Sequence, residues 1–424
     1  KGDAGTVKIN ATETVVLEGG DSEFFTGVSS QVNSGAEGNA GGVTITTGSL
    51  EVKNGAIISA STFAKGDAGA VKINATETIV LERGNSEIFT GVGSTVEEGA
   101  EGNAGGVTIT TGSLEVKNGA EITASTSAQG NAGFVKINAT ETVVLERGDS
   151  EFFTGVVTSV QSGAEGNAGG VTITTGSLEV KNGAIISASI FAKGDVGTVN
   201  INATETVVLD GGDSEFFTGV VNRLEPGAEG NAGGINITTG SLELKNGAAI
   251  SAGTFAQGDA GTVNINATET VVLDGGGGDS EFRSGVASQV NSGAEGNAGG
   301  VTITTGSLEV KNGARITAST FAKGNAGSVD INATETVVLD RGDSEFLTGV
   351  FSIVGTGSEE NAGGVTITTG SLEVKNGADI SASTFAKGDA GTVEINATET
   401  VVLDGGGGDS EFFTGVASKV DKGA

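Results

Sequence analysis

The chain has 424 residues, carries a formal net charge of -31, and contains no cysteine, histidine, methionine, tryptophan or tyrosine. Without thiol, imidazole or thioether groups it excludes sulfur- and nitrogen-ligated metal centres, haem ligation, and Ser-His or Cys-His nucleophilic pairs. The charge repels nucleic acid and anionic membrane surfaces and favours divalent cations, while 75 glycines against a single proline suit short strands joined by tight corners.

The first phrase, GDAGTVKINATETVVLE from Gly2, alternates apolar and polar residues, the period of a strand. It returns from Gly66, Gly130, Gly194, Gly258, Gly324 and Gly388. Between its copies lies a related phrase, GNAGGVTITTGSLEVKNGA from Gly38, which returns from Gly102, Gly166, Gly230, Gly296 and, with Glu in first place, from Glu360. The 13 starts are spaced alternately by 36 (once 38) and 28 residues, and such periods mark a stacked repeat fold.

Within the second phrase, Val43 and Ile45 alternate with Thr44 and Thr46, and Leu50 and Val52 with Glu51 and Lys53. A third short strand is expected over 57–63, with Thr-Gly-Ser at 47–49 and Asn54-Gly55 as corners that tolerate left-handed backbone. Three strands and three corners make one coil. The pattern predicts an all-β, right-handed parallel β-helix (β-solenoid) of about 13 three-strand coils at about 4.8 Å each, a rod of about 62 Å. As a domain it is a single uncapped solenoid over 1–424, in double repeats starting at 1, 65, 129, 193, 257, 323 and 387. No run of 18 apolar residues occurs, and Lys1 begins neither with Met nor with a signal peptide, so no membrane span or targeting segment is expected in this stretch.

The residue after the first glycine of each phrase reads Asp3, Asn39, Asp67, Asn103, Asn131 and so on to Asp389, never Asp in two successive coils. Stacked carboxylates would repel and stacked amides pair, so a corner ladder is expected there.

The longer phrases carry an additional loop, EGGDSEFFTG at Glu18–Gly27, where paired phenylalanines concentrate. Laid on the shorter phrase without gaps, Val15 and Leu17 fall opposite the outward Glu51 and Lys53. The expectation is that the loop folds back and a phenylalanine covers them. Exposure of the strip for side-by-side contacts and a register shift that turns Leu17 inward are the other readings.

Gly-x-x-Gly at Gly2–Gly5 and Gly38–Gly41 reads as a corner and not a phosphate cradle, because no helical period follows. Asp21 and Glu23, with Glu18, form an acidic loop that is solvated or collects hard cations, and the Gly275–Asp279 run lacks the nine-residue period of calcium-binding repeats. Asn10, Asn74, Asn138, Asn202, Asn266, Asn332 and Asn396 head glycosylation sequons on outward positions. The Thr44-x-Thr46 pair resembles ice-binding ranks, but Lys8 and Asn10 interrupt them in the alternate coils. Every acidic group has near-copies, so no catalytic cluster stands out.

Together, GNAGGVTITTGSLEVKNGA, SASTFAKGDAG and VKINATETVVL resemble the repeat regions of filamentous-haemagglutinin-like exoproteins of cyanobacteria, secreted by the two-partner route. The resemblance spans essentially the whole chain and implies β-helical rods displayed outside the cell for adhesion, surface coating or matrix. The expectation is therefore a non-catalytic extracellular structural protein without catalytic, cofactor or metal residues, the alternative being a calcium- or carbohydrate-binding adhesive module using the acidic loops. Its partners would be itself, end to end and laterally through Phe24, Phe25, Phe152, Phe153, Phe216, Phe217, Phe412 and Phe413, and surface polysaccharide, with no nucleic acid and no membrane insertion.

Overall fold

The computed structural model describes residues 1–20, 26–276, 282–356, 360–406 and 412–421, and every regular element among them is a β-strand. The chain forms two compact units, Lys1–Ala203 and Thr204–Ala424, each a right-handed parallel β-helix.

In the first unit the opening coil contributes β1 (Val7–Asn10), β2 (Thr14–Glu18) and β3 (Thr26–Val32), and the next contributes β4 (Val43–Thr47), β5 (Ser49–Lys53) and β6 (Ala56–Thr62). Pairing is parallel and in step, with Val7 opposite Val43, Leu17 opposite Val52, and Val28 opposite Ile58. Val43 is in turn opposite Val71 of the following coil. One phrase therefore makes one circuit. First and second strands share one sheet and third strands form another. Between the sheets lies a core of stacked aliphatic side chains in which Ile45, Leu50, Val52 and Ile58 expose no surface. At the corner after the third strand the bore narrows and only small residues fit, so Ala68, Val96, Ala100, Ala104 and Ala128 pack there.

The second unit repeats the plan. Strands Ile235–Thr239, Ser241–Lys245 and Ala249–Thr254 pair with Val263–Ala267, Thr270–Asp274 and Gly285–Val290. Ile303, Val310 and Ile316 are fully buried in its core, and Ala260, Val290, Ala294 and Ala298 fill the narrow corner.

The expected cover over Val15 and Leu17 is overturned, because both side chains point into the bore. Val15 pairs with Leu50, Val16 with Glu51 and Leu17 with Val52, so Val16 is the outward residue, 54% exposed. The cause is one extra residue in the long-coil corner. Asn10 lies 36 residues before its partner Thr46, whereas Thr14 lies 35 before Ser49. The same step shows between Thr369 and Ser371, opposite Ala397 and Thr400. A one-residue bulge reverses the side of every later residue in the strand. In coils with neighbours on both sides, Val143 and Leu145 lose all exposure.

The corner ladder is present in both units, but its principal rung is a backbone bond. The side-chain oxygen of Asp3 accepts the Asn39 backbone N–H at 2.8 Å, and Asn39 accepts that of Asp67 at 2.9 Å. In the second unit Asp259 accepts from Asn297 and Asn297 from Asn325. Direct amide donation along the ladder occurs as well, from Asn103 to Asp67 and from Asn325 to Asn297. Because Asp and Asn both offer an acceptor, either fills a rung. At the neighbouring position glutamate alternates with lysine or glutamine, as Glu37, Lys65, Glu101 and Gln129 stand one above another and Lys65 pairs with Glu101 at 3.0 Å.

The register gives a direct test within one strand. Leu145→Ala should cost about 2–5 kcal/mol by the cavity it leaves, whereas Val144→Ala should cost about 0.5 kcal/mol. Urea unfolding of the two variants measures both, and equal losses would contradict the assigned faces.

Candidate functional site

The long-coil loop joins the second and third strands. In the first unit it runs from Arg83 to Phe89. Ser86 N–H closes a turn on the Arg83 carbonyl at 3.3 Å, and the Ser86 hydroxyl accepts the Ile88 N–H at 3.2 Å. Arg83 is almost fully buried, donating from Nε to the Ser86 carbonyl at 2.8 Å and from Nη2 to the Glu87 carbonyl at 2.6 Å. Arg147 repeats both bonds with Ser150 and Glu151.

With its edge occupied by its own loop, the Arg83 guanidinium offers its face to the next long coil, where the Phe152 ring centroid lies 3.3 Å from Cζ. Such a cation-π contact contributes about 0.5–2 kcal/mol, more where water is excluded. In the second unit Arg341 stacks on Phe412 at 4.2 Å and donates to the Asn376 and Ser344 carbonyls. The coil from Gly258 has Gly275 where these coils have arginine. There Arg283, from the same loop, stacks on Phe346 at 3.9 Å instead. Phe217 and Phe282 meet edge to face at 5.8 Å. Successive loops are thus tied to one another along the coil stack.

The loops do cover a strand, but it is the third. Gly91 and Gly155 flank Glu121 in that sheet, and a Cβ added at either glycine would fall 3.0 Å from the ring of Phe89 or Phe153 respectively. Glu121 therefore stands between phenylalanine-covered positions. The residue keeps some surface while its carboxyl is enclosed, and this burial pushes the carboxyl up to about 7, against the opposing pull of the Thr123 hydroxyl and the Arg83 guanidinium. In the second unit the equivalent positions hold Arg315 and Asp379, on either side of Gly349. Phe351 is turned back over that glycine. Burial, with repulsion from Arg283, lowers Arg315 to about 10, and burial raises Asp379 to about 6 despite attraction from Lys419.

Of the phenylalanines expected to make lateral contacts, Phe24 and Phe25 lie outside the described residues, as do Asp21 and Glu23. Phe152, Phe153, Phe217 and Phe412 are half-buried against their own coil stack, while Phe216 and Phe413 are 44% and 54% exposed. The Glu18 carboxylate accepts the Asn54 side-chain amide at 3.3 Å, and among the described residues no three carboxylates converge as a cation site. Gly275 and Gly276 are described, and the rest of that glycine run is not. The Gly-x-x-Gly segments are stacked corners: a Cβ on Gly38 would lie 2.2 Å from the Gly2 carbonyl oxygen. The sequon asparagines face outward at the ends of first strands, and Lys8 and Asn10 register on Thr44 and Thr46, interrupting the threonine ranks.

Two groups of residues escaped the sequence reading. The loop arginines were legible only as ERG or DRG in three of the seven long phrases, the other four reading EGG or DGG. The covered position was legible as the one variable letter in an otherwise near-constant phrase, Ile57, Glu121, Ile185, Ala249, Arg315 and Asp379.

No protein-family profile, no curated protein and no solved structure matches this chain.

Because the folded Glu121 binds its proton more tightly than an unfolded one, its share of stability is complete below about pH 4.5 and is lost as pH rises toward 7. Glu121→Gln should remove that dependence and be more stable than the parent above pH 7, by on the order of 2 kcal/mol. Thermal melts at pH 4 and pH 8 check this, and an unchanged difference between the pH values would contradict it. Arg83→Ala should cost about 1–2 kcal/mol and raise hydrogen exchange in the Phe152 loop.

Proposed function

We propose that the chain is the repeat section of a non-catalytic extracellular structural protein, serving as a surface filament, adhesin stalk or matrix fibre. The observation that carries the reading is where the polar groups of the repeat go. Corner asparagines bond to the adjoining coil, loop arginines brace their own loop and stack on the phenylalanine of the next long coil, and each exists in several near-copies. A reaction centre needs one singular cluster with chemistry held in reserve. Here the recurring chemistry holds coils together. The resemblance to secreted filamentous exoproteins supports the extracellular placement, and the acidic surface resists non-specific adhesion.

Calcium titration of the melting temperature separates this reading from a loop-based binding module. A structural stack should keep one melting temperature across the titration. A binder would gain stability as RT ln(1 + [L]/Kd), and such a rise would overturn the proposal. Electron microscopy of the native material should show threads, and short discrete particles would count against it.

A further inference from the structure

The short coils end their second strands on Asn-Gly: Asn54, Asn118, Asn182, Asn246, Asn312 and Asn376, each followed by glycine. All six asparagines are left-handed, with φ between 50° and 52°, and the glycines follow at 82° to 89°. Asn-Gly is also the dipeptide most open to a reaction within the chain, since glycine puts no Cβ in the way. Its backbone nitrogen attacks the asparagine Cγ, a C–N bond closes a succinimide ring, and ammonia leaves. Water then opens the ring to aspartate or to isoaspartate, which adds a methylene to the main chain.

In the coil stack both reacting groups are occupied, each by a different neighbour. The nucleophile is held from above. Gly55 N–H donates to the Thr90 hydroxyl at 2.7 Å, Gly119 to Thr154 at 2.6 Å, Gly313 to Thr348 and Gly377 to Thr414 at 2.7 Å, and Gly247 to Ser284 at 3.0 Å. Thr90, Thr154, Ser284 and Thr348 are almost wholly buried. The electrophile is held from below, because the Asn118 amide donates to Glu82 at 2.9 Å, Asn182 to Glu146 at 3.1 Å, Asn246 to Asp210 at 2.8 Å and Asn312 to Asp274 at 2.9 Å. The next coil also closes over the carbonyl side: a Cβ on Gly84 would fall 2.7 Å from Asn54 Oδ1, and one on Gly148 3.0 Å from Asn118 Oδ1. Ring closure needs the glycine nitrogen to give up its proton and the side chain to swing onto it, and the clamp opposes both movements.

We infer that these corners are latent succinimide sites, held shut by the coil on either side and opened to reaction where those coils part. The inference rests on the corner geometry and is independent of where the protein works. The test is peptide mass mapping of the whole chain after incubation in mildly alkaline buffer, with and without urea. Native corners should react slowly, and all corners in urea should react fast and alike. Thr154→Ala should speed reaction at Asn118 about tenfold, the factor for one lost hydrogen bond, while Asn54 in the same molecules stays slow. Thr154→Ser should keep the protection, as Ser284 does at Gly247. If Thr154→Ala instead unfolds the stack, the clamp predicts that every corner reacts at its urea rate. Native corners reacting as fast as in urea would overturn the inference. So would an unchanged Asn118 rate in a Thr154→Ala chain that melts like the parent.

Discussion

Within each unit every circuit lies against the next at about 4.8 Å, in register and in parallel, so the nearest neighbour of almost every residue is its own counterpart. That single constraint sorts what each position accepts. Aliphatic side chains stack on themselves without penalty and fill the bore. Glycines recur where the backbone of one corner sits directly on another and leaves no room for a Cβ, as Gly38 does on Gly2. Groups that donate or accept along the axis, Asp3 to Asn39 or Asn118 to Glu82, close bonds from one coil to the next.

Charged side chains are the ones that cannot stack on themselves, and the two-coil repeat resolves this. A glutamate over a glutamate at this spacing is destabilising, whereas a glutamate over a lysine is not. Glu18 registers on Lys53 and Lys53 on Glu82, and Glu37 on Lys65 and Lys65 on Glu101. These exposed pairs contribute little stability individually. Their value is in avoiding a column of like charge. The loops obey the same logic at twice the interval, with arginine of one long coil meeting phenylalanine of the next and Arg283 supplying the guanidinium that Gly275 withholds.

The fold was legible because it is written as a period. Strand number per coil, the corners at Asn54-Gly55, the interrupted threonine ranks and the Asp/Asn ladder all follow from aligning the phrases. What aligning the phrases left open was parity after a corner, and of the three readings offered for Val15 and Leu17 the register shift that turns Leu17 inward is the one observed. NATET and TTGS differ by one residue, an ungapped alignment hides it, and Val15, Val16 and Leu17 then exchange sides. The site was less legible for a related reason. Glu121 sits at one variable letter, and its chemistry comes from burial beside Gly91 and Gly155 of the adjoining phrases, which only the return of the chain brings alongside.

The bulge at the NATET corner also governs how such a gene product can change in size. Coils with and without the additional residue alternate, which sets glutamate beside lysine and places one short coil between successive loops. The unit that preserves this alternation is two coils, 64-odd residues and about 9.6 Å of stack. Variants of this protein should come in discrete sizes, and an odd number of lost coils should be found only with a repaired junction.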